Sequence, residues 1–393
     1  MNINDYKKAV QRIEIRPELK ENVIETSTRR SVKHSFSKKR VIPVLAAAVV
    51  GCVCITAAFA DELRGIFVKT TKFEMSISSV AEPQKREVQV LNAVPKKWNE
   101  DVINQIFIEG KTIVDSDEYP SDTNPDIRRL WFDFDDNSTV CYEDGEISWR
   151  IKSDYDYEYI SSIVLNSMGA GKNPFTKSEI DGLDKQESLA KADALIDALE
   201  IPVSSYEIIA LDCETLIKED DVRNENVERI YKHGEVLPEW TEEQEAYLIV
   251  YHADGGDLPV TSERYASMKL GTEGSEIYAV VSRRGIESFQ ARWVFDTSES
   301  VNSKAEVCTA EEAAYALYAK YDREIPLSDT TVNNCRLVYL PVPVEYGKNY
   351  ELRPYWEFYS TVECRYYTPE FVQDGFDYHE TFFVNAETCE VLE

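Results

Sequence analysis

His379-Glu380-Thr381-Phe382-Phe383 opens as a zinc-binding helix would, with one imidazole ligand followed by the glutamate that serves as general base. That chemistry needs a second histidine where Phe383 stands, so no imidazole pair can share a helical face. Ser188-Leu189-Ala190-Lys191 has the spacing of a serine nucleophile and its lysine, but the companion echoes, Lys269 to Thr272 and Ser328 to Thr330, run in the wrong order. Asp133, Asp135, Asn137 and Asp144 mimic calcium-loop spacing, with Ser138 where the turn glycine belongs and Asp144 where a bidentate glutamate belongs. Solvated hairpin turns account for the same residues. Gly169-Ala170-Gly171-Lys172 is too short for a phosphate loop. Past residue 60 the histidines are His233, His252 and His379, each read as a strand or surface residue. The expectation is a protein that is not an enzyme and uses no metal or cofactor. Carboxylates acting alone, as in a hydrolase of wall material, remain the alternative, although no pair stands out.

Cysteine chemistry is the other candidate. Cys141, Cys213, Cys308, Cys335, Cys364 and Cys389 follow residue 60, and none forms a C-x-x-C pair, so zinc and thioredoxin-type redox sites lack their spacing. In an oxidising compartment, Cys308, Cys335, Cys364 and Cys389 are the candidates for disulfides, with buried thiols as the other reading.

What must position such groups follows from charge. The chain of 393 residues carries a net charge of −29, unevenly spread. Residues 1–40 hold eleven basic and five acidic side chains, Val41 to Ala60 holds no charge, and residues 61–393 hold 32 basic and 67 acidic, a net of −35. A surface that negative repels a phosphate backbone, so nucleic-acid binding is excluded for the bulk of the protein. Twenty uncharged residues rising about 1.5 Å each span a bilayer as one helix. Arg29, Arg30, Lys33, Lys38, Lys39 and Arg40 before it, and Asp61 and Glu62 after it, hold the N-terminus in the cytoplasm. The expected protein is therefore a single-pass cell-membrane protein, its partner through residues 41–60 the lipid bilayer and residues 61–393 extracellular. Cleavage after Ala58-Phe59-Ala60, or lipidation at Cys52 in Val49-Val50-Gly51-Cys52, would instead release or tether the same acidic region.

In the tail, Tyr6, Val10 and Ile13 recur at helical spacing, and Pro17 opens a second segment bearing Leu19, Val23 and Ile24. Helices this short need a partner to bury their apolar sides, which makes these six the candidate partner-binding residues. Tail and span together resemble the N-terminal segments of membrane-bound anti-sigma factors, without a zinc-binding His/Cys set.

Beyond the span a repeat of 124 residues emerges. Asp184 to Glu187 and Thr309 to Glu312 are capping boxes that open amphipathic helices, and the helices end in Glu200-Ile201-Pro202 and Glu324-Ile325-Pro326. Strand-like runs follow each helix: Tyr206 to Leu211, Ala246 to Tyr251, Ile277 to Ser282 and Ser288 to Phe295, then Cys335 to Leu340, Tyr355 to Val362 and Thr381 to Asn385. The charged stretch Glu219 to Glu243 reads as a loop. Ahead of the repeat, Leu130 to Phe134, Thr139 to Tyr142 and Ile147 to Ile151 read as a hairpin ladder with turns at Asp135 to Ser138 and Glu143 to Gly145.

Val384-Asn-Ala-Glu-Thr-Cys-Glu-Val-Leu392 is similar to the closing strand-turn-strand of PepSY-type domains, with Cys389 at their glycine position. With Pro354 to Phe358 upstream and helix-then-sheet units behind one span, residues 180–393 resemble PepSY-like and YycH/YycI-like envelope proteins of Gram-positive bacteria. That resemblance implies regulation or inhibition of a membrane partner and supplies no catalytic residues. The expected architecture is α+β: a transmembrane helix, a β-rich region at 61–180, and PepSY-like units at 181–300 and 301–393, each a helix against an antiparallel sheet. The expected function is a regulator or sensor that binds a protein partner through its acidic ectodomain, or else an anchored binding or inhibitor module without signalling. Tyr355, Trp356, Phe358, Tyr359, Tyr366 and Tyr367 line either a peptide or polymer groove or a sheet core.

Overall fold

The computed structural model describes residues 63–69, 73–81, 87–122, 124–152, 157–168, 173–219, 240–263, 265–266, 271–321, 329–364, 367–368, 371–372 and 376–392. The expected tail with Tyr6, Val10, Ile13, Leu19, Val23 and Ile24, and the expected span 41–60, lie outside the described residues. So do His233, most of the charged stretch 219–243 and the second Glu-Ile-Pro tripeptide. Among the described residues no helix is long and apolar enough to cross a membrane.

The architecture is α+β, dominated by two large sheets of mainly antiparallel strands. The first combines β4 (Ile113–Pro120), β5 (Arg128–Phe134), β6 (Ser138–Glu143) and β7 (Glu146–Ile151) with β13 (Gly285–Arg292), β12 (Glu276–Ser282), β9 (Ala246–Ala253) and β8 (Val203–Leu211), in that order. The second runs β1 (Leu63–Lys69), β2 (Phe73–Ala81), β15 (Asp329–Glu345), β16 (Asn349–Cys364), β3 (Glu87–Pro95), β14 (Phe295–Glu306), and β19 (Phe376–Asn385) pairs the far end of β16. β2 and β15 pair in parallel. Two small ladders complete the set, β10 (Tyr265–Ala266) with β11 (Gly271–Thr272) and β17 (Tyr367–Thr368) with β18 (Phe371–Val372). Segment 61–180 therefore supplies strands to both sheets, as does segment 181–300 through β14.

Both expected capped helices form. Asp184 accepts from the Glu187 amide at 2.8 Å and starts α3 (Lys185–Ala198), which follows α1 (Glu100–Ile103) and α2 (Tyr157–Met168). Thr309 and Glu312 exchange side-chain-to-amide bonds at 3.2 and 2.9 Å to start α4 (Ala310–Tyr321). After α3 the chain stops at Glu200, held at φ 52°, before Pro202. The strands β8, β9, β12 and β13 then form a continuous meander, and β15, β16 and β19 form another after α4. The run Ser288 to Phe295 is not one strand. It breaks at Trp293, whose φ of 53° turns the chain out of the first sheet and into the second.

The main core lies where α3, α4 and the inner faces of both sheets meet, joining Leu189, Ile196, Leu317, Phe289, Trp356 and Phe358. The outer face of β15, β16 and β19 is covered as well. The segment Pro259 to Thr261 runs beside β15, with the Tyr339 amide donating to Pro259 O at 2.8 Å and the Thr261 amide donating to Tyr339 O at 2.9 Å, and Tyr265 packs edge-on against Phe383. Tyr355, Trp356, Phe358 and Tyr359 are thus buried on alternating faces, which makes these four sheet core and not a groove, while Tyr366 and the Tyr367 side chain lie outside the described residues.

Candidate functional groove

Strand pleating places Arg129, Trp131 and Asp133 of β5, Thr139, Cys141 and Glu143 of β6, Glu146, Ser148 and Arg150 of β7, and Ser288, Gln290 and Arg292 of β13 on one face of the first sheet. The alternate residues, Phe134, Val140, Tyr142, Ile147 and Phe289 among them, enter the core on the other face. Farther along the polar face, at β12, β9 and β8, the side chains turn apolar, and Tyr157, Ile160 and Val164 of α2 cover them with Phe175, Leu216 and Trp240. α2 stops short of β5 to β7. What it leaves is an open groove of about 760 Å³, bounded on one side by Tyr157 and Glu158 of α2.

Arg129 organises the groove. Its Nε donates to Glu143 Oε1 at 3.0 Å, a second guanidinium nitrogen reaches the same oxygen, Nη2 lies 3.5 Å from Glu146 Oε2, and the guanidinium stacks over Tyr119 at 5.9 Å. Arg292 approaches Glu146 from the opposite side at 3.9 Å. Burial pushes the Glu146 carboxyl above its usual range, Glu143 adds to the push, and both arginines oppose it. Glu143 is 3% exposed, and its Oε2, like the Ser288 hydroxyl, has no hydrogen-bond partner among the described residues. Both atoms are enclosed by their neighbours, and the side chains that face the open space are Trp131, Gln290, Arg150, Glu158 and Arg292.

The carboxylates are held by the β6–β7 turn. Gly145 takes φ 79° there, its amide donates to Lys96 O at 2.7 Å, and its carbonyl accepts from Val294 at 3.0 Å. From the core side the Trp98 indole N–H is shared between the carbonyls of Glu143 and Glu146, at 2.8 and 3.0 Å. Trp98→Phe is expected to cost about 1–2 kcal/mol in denaturant unfolding, because it leaves two carbonyls without the indole donor while a phenyl ring keeps part of the packing.

The remaining sequence candidates take structural roles. Asp133 accepts from Lys152 at 2.8 Å, Thr139 at 2.6 Å and Trp131 at 3.1 Å, which lowers its pKa, and among the described residues no group of His, Cys, Asp and Glu could hold a metal ion. His379 sits in a strand opposite Thr361, so the zinc-helix pattern has no helix. Buried Ser188 donates to Asp184 O at 2.9 Å and Lys191 pairs with Glu187 at 2.9 Å, so neither faces the other as a catalytic pair. Cys335 is buried in β15, Cys364 ends β16 opposite Phe376, and Cys308 and Cys389 meet at the start of α4. The groove residues escaped the sequence reading. Alternation in Glu146-Ile-Ser-Trp-Arg150 and Ser288-Phe-Gln-Ala-Arg292 marks a polar face, but only the pairing of β7 with β13 brings the two runs together.

A second polar cluster lies beside Thr261 and Glu263. Arg336 Nε is 2.5 Å from Glu357 Oε2, Tyr359 donates to the same oxygen at 2.8 Å, and Thr261 donates to Glu357 Oε1. Burial, with Glu357 reinforcing it, pushes the neighbouring Glu263 carboxyl up to about 7 against the pull of Arg336. Gly274 closes against this stretch of backbone. A Cβ there would lie 2.5 Å from the carbonyl oxygens of Thr261 and Glu263, so only glycine fits.

Fold and groove together define an α+β protein of two sheets with one polar, open sheet face. No family model and no curated protein matches the chain. A solved structure of an uncharacterized protein from Eubacterium rectale is similar, with a TM-score of 0.60 at 12% identity over 84% of this chain and 93% of that one. That likeness speaks to the fold alone.

Proposed function

We propose that this chain is a non-enzymatic regulator or sensor of the bacterial envelope, anchored by residues 41–60, whose PepSY-like ectodomain binds a protein partner. The observation that carries the binding role is the open groove on the first sheet, where Trp131 and Gln290 lie among the exposed side chains of Arg150, Glu158 and Arg292. An extended protein segment with amide groups, a basic side chain for Glu158 and an acidic one for Arg150 or Arg292 matches these groups. The net charge of −35 beyond residue 60 draws such a segment in. The Glu143 and Glu146 carboxylates favour binding over hydrolysis because Arg129 and Arg292 already engage both. The basic tail is the part that carries the event to a cytoplasmic partner, through the apolar set from Tyr6 to Ile24.

The test uses the full chain in its native membrane, with a photoreactive side chain at position 131 or, as a control, at Tyr206, which is exposed on β8 at the far edge of the same sheet. A discrete adduct with one protein is expected at 131 and not at 206. Trp131→Ala is expected to weaken binding of that protein about tenfold, equivalent to about 1.4 kcal/mol. Absence of an adduct at 131, or equal labelling at both positions, removes the reading.

A further inference from the structure

Cys389 has a backbone that its side chain disfavours. In the closing turn its φ is 57°, the left-handed region where a Cβ costs about 1–2 kcal/mol and glycine costs nothing. The turn is nevertheless well formed. Asn385 accepts from the amides of Glu387 and Thr388 at 2.8 and 3.0 Å, Cys389 donates to Asn385 O at 2.8 Å, and Val384 and Val391 bridge behind it. A conformation built for glycine therefore presents a thiol.

That thiol faces another. Cys308 sits just before the Thr309 cap of α4, fixed on both sides: its amide donates to Ala386 O at 2.7 Å and its carbonyl accepts from the Trp356 indole at 2.9 Å. The Cys308 and Cys389 side chains are hydrogen-bonded to each other, both half-buried against the main core and both reachable from solvent. Two backbones locked to one another, with thiols in contact, need little movement to be bridged.

We propose that Cys308 and Cys389 are an oxidation site, joined as a disulfide that pins the C-terminal turn to the start of α4. The hydrogen bond between the two thiols favours a thiolate in the pair, with the shift toward Cys389, which begins the exchange. Its thiolate attacks an external disulfide, small-molecule or protein, forming a mixed disulfide and expelling one thiolate. Cys308 then loses its proton and attacks the Cys389 sulfur, expelling the second thiolate. Two protein thiols are oxidised and one external disulfide is reduced to two thiols, so electrons and protons balance. Closing a loop between positions 308 and 389 encloses α4 and β15 to β19, and restrains the unfolded chain. The groove plays no part, so this inference stands or falls apart from the binding role.

The experiment equilibrates the full chain in detergent with graded mixtures of reduced and oxidised dithiothreitol, alkylates the remaining thiols and maps the peptides by mass. At the oxidising end, one cross-linked pair containing Cys308 and Cys389 is expected, two hydrogens lighter than the thiols, with a thermal midpoint several degrees above that of the reduced chain. Cys141→Ser and Cys213→Ser are expected to leave both readouts unchanged. Cys389→Gly is expected to abolish both while melting no lower than the reduced parent, because glycine accepts φ 57°. Complete alkylation of Cys308 and Cys389 in folded, oxidised protein overturns the proposal, as does a bridge from either to another cysteine.

Discussion

Replacing Arg336 by leucine is expected to destabilise the protein by about 3–5 kcal/mol, the range for breaking a buried ion pair from one side. Arg336 lies in β15 with its Nε 2.5 Å from Glu357 Oε2, and Glu357 is wholly buried in β16. The carboxylate keeps two neutral donors, Tyr359 and Thr261, and neither offsets its charge. Without the pull of Arg336, Glu263 beside it stays protonated, so no cation replaces the guanidinium at Glu357. The double variant Arg336→Leu, Glu357→Gln removes the stranded charge and is expected to recover more than half of the loss. Urea unfolding of the three proteins measures this, and a single-variant cost below about 1 kcal/mol would show that water reaches Glu357 and that the network is not closed.

The contrast between this network and the parts visible in sequence is physical. Capping boxes at Asp184 and Thr309 are local, so both helix starts were legible, as were the turns at Asp135 to Ser138 and Glu143 to Gly145. Period-two alternation located most strands. It could not name their partners: β3 pairs with β14 some 200 residues away, and that pairing, together with β7 on β13, decides which sheet each strand joins. Alternation also marks two faces without saying what covers each. Tyr355 and Trp356 point oppositely in β16, and both are buried because Pro259 to Thr261 and Tyr265 cover the face that the core does not use. Cys389 stands at the glycine position of the closing turn, and the turn forms with it at φ 57°. Six cysteines allow fifteen complete pairings, so the contact of Cys308 with Cys389 could be seen only once the strand and helix ends were placed. The groove was hidden for the same reason, since Arg129, Glu146 and Arg292 come from three strands.

The Glu263 carboxyl gives the second large effect, and its sign can be worked out. Its pKa stands near 7 in the folded protein against 4.5 for the free side chain. The folded state therefore holds a proton that the unfolded chain releases across that interval. Stability from this group is fully present below about pH 4.5 and is lost as the pH rises through about 7, a change of about 3 kcal/mol at 1.36 kcal/mol per unit. The groups facing it come from several strands: Glu357 and Tyr359 of β16, Arg336 of β15, Thr381 of β19 and Glu276 of β12, with the acids disfavouring its charge and Arg336 favouring it. Glu263→Gln keeps the shape and removes the titration. The variant is expected to match the parent near pH 4.5, and its advantage is expected to grow through pH 6 and 7 to about 2–3 kcal/mol at pH 8. Other carboxylates titrate in both proteins, so the quantity to measure is the difference between the two urea-unfolding free energies at each pH. Parallel profiles from pH 5 to 8 would mean that Glu263 is solvated and already charged, and the closed network beside Gly274 would then be the wrong picture.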